Sequence, residues 1–565
     1  MTPKPAATPP SAPEPDASHE VELKFILPVA AIESLADQGL DWPDATPPQH
    51  TPLISIYYDT PDYQFWHHGI ALRIRRQGNQ WLQHLKWRGR ADAGRDGVSL
   101  AGGSIRTEWE WSRPDSEPDT GVMAAALDGA IPLPKGWAAQ IKPVFETQII
   151  RTAQILTIGR HSQVEAAYDR GVLRTTSQEQ GLAEVELELV KGRPLALYQV
   201  AEQLVTITGA RLAGGSKAAQ GYRLATAQAL RAKKAKRARL NKAQTGHQAL
   251  QAQAARTLRG LLDNQQVLLG HQAAGNGADN ATNDPHYDPK ATHQMRVALR
   301  RLDAIMHPLA PALTDPVLTS PAITALIADA RWVRQTLGTM RNWDVFLSDT
   351  LPQTQSSKDA HYITSGTALL RPVAEALRQA AQARVRHMLT DTRYAMFLLR
   401  LAQLADGAAP FNRWPSASRA VLDRPYRHLA ARWFVEYMMA IDGRGQKLHR
   451  LKPTKQHRFR LQVKKARYVA EIIASIERSE PLKIATKQMA KLQDALGAQN
   501  DAFTALELLD EMAKHPLVID NVSAEEAIAR KAQRLHQQCA AANPKLTTRW
   551  QQITQDTDQW LVAKR

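Results

Sequence analysis

His19-Glu20-Val21-Glu22-Leu23-Lys24-Phe25 alternates with a period of two. Glu20, Glu22 and Lys24 fall on one face and Val21, Leu23 and Phe25 on the other, the pattern of a β-strand with one charged and one apolar face. Carboxylates two residues apart point the same way, about 7 Å from each other, because a strand rises about 3.3 Å per residue. Such a pair is placed to share a hard divalent cation such as Mg²⁺ or Mn²⁺, which takes oxygen ligands. A solvated strand face is the alternative, and the surrounding sequence bears on the choice.

The same alternation returns downstream. Leu72-Arg73-Ile74-Arg75 alternates apolar and basic; His84, Lys86 and Arg88 lie opposite Trp81, Leu85 and Trp87. Arg106, Glu108 and Glu110 share a face against Thr107, Trp109 and Trp111, and Glu184, Glu186 and Glu188 alternate with Val185, Leu187 and Leu189. Gly78-Asn79 is a hairpin cue between two of these runs. A closed barrel offers such charge a place: apolar faces turn outward under helices while charged faces line the interior. Inside, Lys24, Arg73, Arg75, Lys86 and Arg106 would meet Glu20, Glu22, Glu108, Glu110, Glu184, Glu186 and Glu188. Buried charge must be paired, and a small polyanion with divalent metal would satisfy both sets. The alternative is a sheet with one solvated face carrying exposed salt bridges.

The chain has 565 residues, enough for two or more domains, and 43% of them are hydrophobic. Cys539 is the only cysteine, which excludes a disulfide framework and a cysteine metal site and suits a reducing compartment. No apolar run reaches the length of a membrane span. Residues 1–17, rich in Pro and Ala with no apolar core, read as a disordered tail rather than a signal peptide, so the expected location is the cytoplasm. A net charge of +17 at pH 7 favours polyanionic partners: nucleic acid, an acidic membrane surface or polyphosphate.

Residues 226–245 read as a basic helical linker, with the Ala-rich run 231–243 starting a helix with a positive, solvated face; electrostatic attraction to a polyanion is the alternative. From residue 246 to 565 Ala, Leu, Arg and Gln dominate and apolar spacing turns helical. An internal repeat divides this half into 246–400 and 401–565. His293-Gln-Met-Arg296-Val-Ala-Leu-Arg300-Arg301 recurs as His457-Arg-Phe-Arg460-Leu-Gln-Val-Lys464-Lys465, and Leu337-Gly338-Thr-Met-Arg341-Asn342 as Leu496-Gly497-Ala-Gln-Asn500-Asp501. Two such halves predict a pseudo-two-fold pair of helical bundles. His293, Arg296 and Arg300 share one helix face, as do His457, Arg460, Lys464 and Arg467, with Met295, Val297, Leu299, Phe459, Leu461 and Val463 as packing residues. Two repeated ridges of like charge require an anion; a solvated face is the alternative.

The first half resembles a CYTH domain, the triphosphate tunnel metalloenzyme family. The resemblance rests on Glu20-x-Glu22-x-Lys24, Tyr57-Tyr58-Asp59-Thr60-Pro61, Leu72-Arg73-Ile74-Arg75, Leu85-Lys86 and Arg106-Thr107-Glu108-Trp109-Glu110. It continues through Pro143-Val144-Phe145, Arg151, Asp169-Arg170-Gly171, Glu184-x-Glu186-x-Glu188 and Ser216-Lys217-Ala218-Ala219-Gln220-Gly221-Tyr222. It implies an eight-stranded antiparallel tunnel, over residues 18–225, that hydrolyses a linear triphosphate with Mg²⁺ or Mn²⁺. Lys24, Arg73, Arg75, Lys86, Arg106, Arg151 and Lys217 are then the phosphate clamps, arginine as a bidentate fork and lysine as a point charge. Glu22, Glu186 and Glu188 would hold the first metal, with Glu184 sharing it. Glu20, with or without a second metal, would orient the attacking water. Glu108, Glu110 and Asp169 would steady the basic residues. Thiamine triphosphatases, adenylate cyclases and inorganic triphosphatases share these motifs; Trp66, Trp87, Trp109 and Trp111 are candidates for a base-reading wall or, better, for packing.

The second half resembles a CHAD domain, through His293-x-x-Arg296-Val297-x-x-Arg300-Arg301, Leu337-Gly338-x-x-Arg341-Asn342-x-Asp344-Val345, His457-x-x-Arg460-x-x-x-Lys464-Lys465-x-Arg467-Tyr468 and Leu492-Gln493-Asp494-x-Leu496-Gly497-x-x-Asn500-Asp501. Asn342 departs from the family's usual Asp. The resemblance implies that a basic groove binds long-chain polyphosphate; its histidines either tune affinity by pH or act as neutral hydrogen-bonding residues.

The combined expectation is an α+β protein: an antiparallel β tunnel followed by an all-α domain. Its expected reaction is tripolyphosphate plus water giving pyrophosphate and phosphate, with the helical half either concentrating polyphosphate near the tunnel or holding the protein at polyphosphate granules. Three rivals stand beside it: a nucleotide or thiamine triphosphatase or cyclase, a polyphosphate sensor without turnover, and a nucleic-acid binder. The last lacks a helix-turn-helix, zinc or RNA-stacking motif.

Overall fold

Period-two alternation and a run of turn signals produce nine strands in the first half: β1 (Glu22–Ile26), β2 (Gln49–Asp59), β3 (Ile70–Gln77), β4 (Gln80–Trp87), β5 (Thr107–Arg113), β6 (Lys142–Ile158), β7 (Ser162–Arg174), β8 (Glu179–Lys191) and β9 (Arg211–Leu212). They come from a computed structural model that describes residues 21–87, 107–127, 136–270, 288–313, 320–352, 360–411, 413–540 and 545–562. The expected tail 1–17, together with Glu20 and Arg106, lies outside the described residues. The chain divides into two units, residues 1–230 with 269–280 and residues 231–268 with 281–565.

All pairings in the sheet are antiparallel, in the order β5-β4-β3-β2-β6-β7-β8-β1-β9. The α+β class is as expected, but the eight-stranded closed barrel is not what the ladders form. There are nine strands in linear order, with no ladder joining β5 to β9 among the described residues. The extra strand, β9, is two residues long, too short for alternation to reveal it.

The apolar faces turn away from the charged one and are covered by helices α1 (Val29–Gln38), α2 (Gln64–His67), α3 (Thr120–Leu127) and α4 (Pro194–Thr208). Leu23, Phe25, Val185 and Leu187 are fully buried. Each such side chain contributes about 1.5–3 kcal/mol relative to exposure. A second core gathers Tyr58, Phe65, Ile70, Leu72, Ile74, Leu85, Met123 and Leu127, with Trp81, Trp87, Trp109, Trp111 and Trp137 packed on it. Helix α5 (Lys217–Ala225) caps the opposite, charged side, closing a small cluster of Tyr57, Phe145, Leu173, Ala218 and Tyr222.

The second unit is helical: α6 (Gly246–Leu269), α7 (Pro289–Met306), α8 (Ala310–Leu313), α9 (Pro321–Val345), α10 (Ala360–Thr390), α11 (Thr392–Asp406), α12 (Ser416–Leu422), α13 (Tyr426–Gly445), α14 (Pro453–Glu477), α15 (Glu480–Ala495), α16 (Gly497–Met512), α17 (Val522–Ala540) and α18 (Lys545–Val562). Equivalent helices start alike. Proline opens both α7 and α14, and Ser320 and Ser479 cap α9 and α15 by accepting from the backbone N–H three residues on. The halves differ after that. The first runs unbroken through Leu337-Gly338 in α9, whereas the second breaks at Leu496 between α15 and α16. No described helix is long and apolar enough to cross a membrane.

The basic run is not a helix. Residues 228–241 carry no helical turn. Their backbone is held instead by side chains: Ala232 N–H donates to Asp288 (3.1 Å), Lys233 N–H to Asn264 (3.0 Å), Ala235 N–H to Gln294 (3.0 Å) and Ala238 N–H to Gln253 (3.1 Å). Alanine favours helix, but these competing acceptors on α6 and α7 override propensity. One packing expectation also fails: Leu461 is 43% exposed, because burial on α14 follows Phe459, Val463, Ala466 and Ala470 instead.

Candidate functional site

Strand register carries the charged face from one strand to the next. Glu108 lies opposite Lys86, His84 opposite Arg73, Arg73 opposite Tyr57, Arg151 opposite Asp169, Asp169 opposite Glu184, Lys24 opposite Glu186 and Glu22 opposite Glu188. The sheet curls strongly. Lys24 of β1 and Lys86 of β4 stand six steps apart in the strand order, yet both line one cavity with Tyr57, Arg73, Glu186, Ser216 and Lys217.

One wall of this cavity is a compensated ion network. Glu186 accepts from Lys24 (2.7 Å), Arg151 (2.6 Å) and Lys217 (3.0 Å). Lys217 also reaches Asp169 and Glu184, each at 2.8 Å, and Arg151 grips Asp169 through two bonds of 2.7 Å. Gln220 donates to Glu184. Helix α5 presents Lys217 from its first turn, where Ser216 Oγ caps Ala219 N–H at 3.2 Å. Gly221 lets that helix press on the sheet: a Cβ there would sit 2.1 Å from the Phe145 ring. Burial alone would push the lysines down. Asp169, Glu184 and Glu186 outweigh it at Lys217, and Glu186 and Glu22 at Lys24, so both ammoniums stay above their usual range. Burial would likewise raise the acids, but Lys217 and its neighbours hold Asp169 low and Glu186 well below the carboxylate range.

The other wall is cationic. Lys86 pairs with Glu108 at 2.5 Å. Arg75, which donates to Ser55 Oγ at 3.1 Å, is pushed down to about 9 by burial and by Arg73. His84 donates from Nδ1 to Glu110 (3.1 Å) and is pushed down to about 2 by burial and then by Arg73, Arg75 and Lys86. It is therefore a neutral hydrogen-bonding ring. Burial raises the Tyr57 phenol, but Arg73 and Arg75 more than reverse that and acidify it. Arg73 Nε and His84 Nε2 are buried with no hydrogen-bond partner among the described residues. Glu108 and Glu110 serve Lys86 and His84, but among the described residues no carboxylate pairs with Arg73 or Arg75.

In the helical unit the two ridges meet. Lys464 feels Arg300, Arg460, Arg296 and Arg467, and His293 feels Arg300, Arg341, Arg296 and Lys464. Burial followed by these cations lowers Lys464 to about 7, and burial with Arg300, Arg334 and Arg341 lowers Arg296 to about 10. Among the described residues no carboxylate pairs with Arg296, Arg300 or Lys464. The repeat has a geometric reason. Arg296 Nη1 donates to Arg334 O (3.0 Å) and Arg460 Nε to Gln493 O (3.2 Å), in each case the carbonyl four residues before the conserved-in-repeat glycine, Gly338 or Gly497. A Cβ on Gly338 would lie 2.5 Å from Arg296 Nη1, so that glycine makes the arginine's berth. Where the first half has Asn342, the second has Asp501, which together with Asp494 acts on Arg460.

Two comparisons fit this geometry. The CYTH domain family matches residues 18–222, and the CHAD domain family matches residues 272–510. The chain joins a CYTH domain to a CHAD domain. An inorganic triphosphatase of Haemophilus influenzae is 29% identical over 212 residues, 37% of this chain and 56% of that protein. The chain thus spans little more than half the length of that curated relative. Among solved structures, the CHAD domain of Ricinus communis covers 57% of this chain and 96% of its own at 25% identity, with a TM-score of 0.44. A Hippeastrum adenylyl cyclase homologue with a dominant triphosphatase activity covers 36% of this chain and 95% of its own at 16% identity, with a TM-score of 0.24.

In the CYTH domain the structure gathers Lys24, Arg73, Arg75, Lys86, Arg151 and Lys217 on one face, with Glu108 and Asp169 as their partners and Glu110 on His84. The carboxylates proposed for metal are not gathered at one point. Among the described residues no three acids or histidines come within reach of a common ion. Lys217, Arg151 and Lys24 take up Glu184 and Glu186. Glu22 and Glu188 are register partners, as are Glu188 and Glu165, and Glu22 also lies 3.3 Å from Lys24; carboxylate oxygens of this kind are the donors a hard cation takes.

In the CHAD domain two expected ligands point elsewhere. Arg301 donates to Ala235 O in the basic run, and exposed Lys465 acts on His307 rather than on the ridge. A helix turns 100° per residue, so neighbours of Arg300 and Lys464 leave their face. Sequence reasoning did not single out Tyr57, Ser55 and His84 as site residues. Each had a signal: it shares the strand face of a named basic residue across the ladder. Trp66 stacks on Tyr222 (4.6 Å), and Trp87, Trp109 and Trp111 pack on the outer core.

Proposed function

We propose that the CYTH domain is a metal-dependent hydrolase of inorganic tripolyphosphate, releasing pyrophosphate and phosphate, and that the CHAD domain binds long-chain polyphosphate. The observation that carries the first half is the cavity itself: half-buried Arg73, with Arg75 beside it and neither paired to a carboxylate among the described residues, and Lys86, lining the same space as Lys24, Lys217 and Glu186 of the opposite network. A linear triphosphate supplies the missing negative charge along the cationic wall. Arg73 Nε and His84 Nε2 offer a donor and a further polar atom to its oxygens. Lys24 and Lys217, kept charged by Glu186, hold the phosphoryl group next to the acidic wall. Arg106 and Glu20 join as clamp and water-orienting group in this reading.

Glu22, Glu188 and Glu165 would hold the Mg²⁺ or Mn²⁺, with Glu184 and Glu186 behind them. When bound, that ion neutralises charge building on the transferred group. The curled sheet is proposed to act as a tunnel wall around the substrate. The four tryptophans that a base-reading site would need are taken up in packing, which favours an inorganic over a nucleotide or thiamine substrate. For the CHAD domain, the cluster of His293, Arg296, Arg300, Arg341, His457, Arg460, Lys464 and Arg467 is the proposed polyphosphate seat, and granule association in the cytoplasm is the proposed consequence. Neither a membrane nor a specific nucleic acid is a proposed partner.

The test is phosphate release from tripolyphosphate, ATP and thiamine triphosphate with Mg²⁺ or Mn²⁺. Selective turnover of tripolyphosphate is expected. Preferred turnover of either organic substrate, or tight binding with no turnover of any, overturns the reading.

A further inference from the structure

The basic run 231–239 has no role in either proposed site, and its structure gives it one. Burial along it has a period of three. Ala235 and Ala238 are buried and Ala232 half-buried, while Lys233, Lys234, Lys236, Arg237 and Arg239 are exposed. That period belongs to an extended, polyproline-like chain rather than a helix. The small alanines let it lie flat on the helices of the second unit: Ala235 Cβ comes within 3.6 Å of where a Cβ on Gly260 of α6 would be. Its backbone N–H groups at 232, 233, 235 and 238 are taken by Asp288, Asn264, Gln294 and Gln253, and Asn264 donates back to Lys233 O at 3.0 Å. The strand is thus built into the unit, and its cations are held in a fixed row.

That row is poorly neutralised. Lys233 pairs with Asp263 (3.0 Å). Among the described residues no carboxylate pairs with Lys234, Lys236, Arg237 or Arg239. The row also runs into the cluster. Arg301 clamps Ala235 O, and its guanidinium feels both Arg237 and Arg300, with the Glu471 carboxylate also acting on it. Arg237 itself reaches the Glu471 carbonyl of α14 (3.5 Å), the helix that carries Lys464 and Arg467. Arg301, which does not face the ridge, is the joint between strand and ridge.

We propose that the strand 231–239 is an arm of the polyphosphate seat, so that a long phosphate chain runs from the Arg300–Lys464 cluster past Arg301 and along Lys234, Lys236, Arg237 and Arg239. The inference rests on the polyphosphate reading of the cluster and adds a length preference: a chain too short to leave the cluster gains nothing from the arm. Inorganic polyphosphate is favoured over single-stranded nucleic acid because the arm offers no aromatic side chain on which a base would stack.

The experiment uses the full-length protein and compares wild type with the quadruple variant K234Q/K236Q/R237Q/R239Q and with R300Q/K464Q. Binding of long-chain polyphosphate and of tripolyphosphate to each is titrated at several salt concentrations, with a single-stranded oligonucleotide as a third probe. All four changes are at exposed positions, and thermal melting checks that each variant folds. For the arm variant, long-chain affinity is expected to fall by about tenfold or more, and the slope of log affinity against log salt by about 3, near 0.7 per lost cation. Long-chain affinity in the arm variant within twofold of wild type, while R300Q/K464Q loses it, overturns the arm and leaves the cluster standing. Unchanged long-chain binding in R300Q/K464Q overturns the polyphosphate reading of the cluster itself. Loss of oligonucleotide binding without loss of polyphosphate binding assigns the arm to nucleic acid and overturns the proposal as well.

Discussion

The cavity of the CYTH domain and the cluster of the CHAD domain both collect buried cations, but they balance them differently. In the cavity, Lys24, Arg151 and Lys217 are locked to Glu186, Asp169 and Glu184 and Lys86 to Glu108, and only Arg73 and Arg75 are left without a carboxylate partner among the described residues. In the cluster, Arg296, Arg300 and Lys464 face one another without a carboxylate partner among the described residues, while acids act at its edge: Asp494 and Asp501 on Arg460, Glu471 on Arg467 and Arg301, and Asp303 on Arg334. The difference shows in the pKa shifts. Lys217 is held up by its partners, whereas Lys464 is driven down to about 7 by its neighbours. A site with both signs can orient a small substrate and support chemistry on it. A site with one sign, under self-repulsion when empty of anion, is suited to holding a polyanion.

The sharpest way to break the comparison is to remove Lys217. Lys217→Ala leaves Glu184 and Asp169 buried and short of a cation, a loss on the order of 3–5 kcal/mol. Guanidinium unfolding followed by tryptophan fluorescence should show an early transition at pH 7. Lowering the pH lets the stranded acids take up protons, so the deficit should shrink toward pH 5. A Lys217→Ala protein as stable as wild type at pH 7 would mean that the network does not hold the cavity together.

The next effect is a pair of opposite pH slopes from Lys464. Its folded pKa, about 7, is depressed below the ordinary lysine value near 10.4. Between these values the unfolded chain binds the proton and the folded one does not, so stability of the helical unit rises as pH climbs from 7 toward 10. Polyphosphate binding should go the other way, weakening from pH 6 to pH 8 as Lys464 loses its charge. Lys464→Arg should flatten the binding slope, because arginine keeps its proton. A wild-type affinity independent of pH over that range would contradict the crowding of the cluster.

The smallest expected effect separates the two repeats. Gly338→Ala must displace Arg296 from the Arg334 carbonyl, and polyphosphate affinity should fall a few-fold. Gly497→Ala meets Arg460 only at 3.9 Å, so affinity should hold. Equal effects at both glycines would mean that the berth is not what the repeat preserves.

Much of this was legible in the sequence, for physical reasons that differ by region. Strand alternation at Glu22-Leu23-Lys24-Phe25, Leu72 to Arg75 and Glu184 to Glu188 revealed the charged face, because a period of two leaves a side chain no choice of face. The helical ridges and the Leu-Gly pair were legible through repetition, whereas the close approach of Gly338 to Arg296 came only with the structure. What escaped needed tertiary information. The basic run reads as helix because alanine propensity is local, while the four side chains that hold it extended come from distant positions. Arg301 and Lys465 entered with the family motif rather than with the ridges, and a helix turns them away from the face of Arg300 and Lys464. Tyr57 and His84 became site residues only through cross-strand register with Arg73.

The most direct test of the account is a double dissociation in the full-length protein, measuring tripolyphosphate hydrolysis and long-chain polyphosphate binding for Glu22→Ala and for R300Q/K464Q. Glu22→Ala should lower kcat by about 10²-fold or more, the scale of losing one electrostatic contact to the transition state, while still binding polyphosphate. R300Q/K464Q should lose polyphosphate binding and keep its kcat on tripolyphosphate. If Glu22→Ala hydrolyses tripolyphosphate at the wild-type rate, or if R300Q/K464Q loses turnover together with binding, the division of labour between the two sites is wrong.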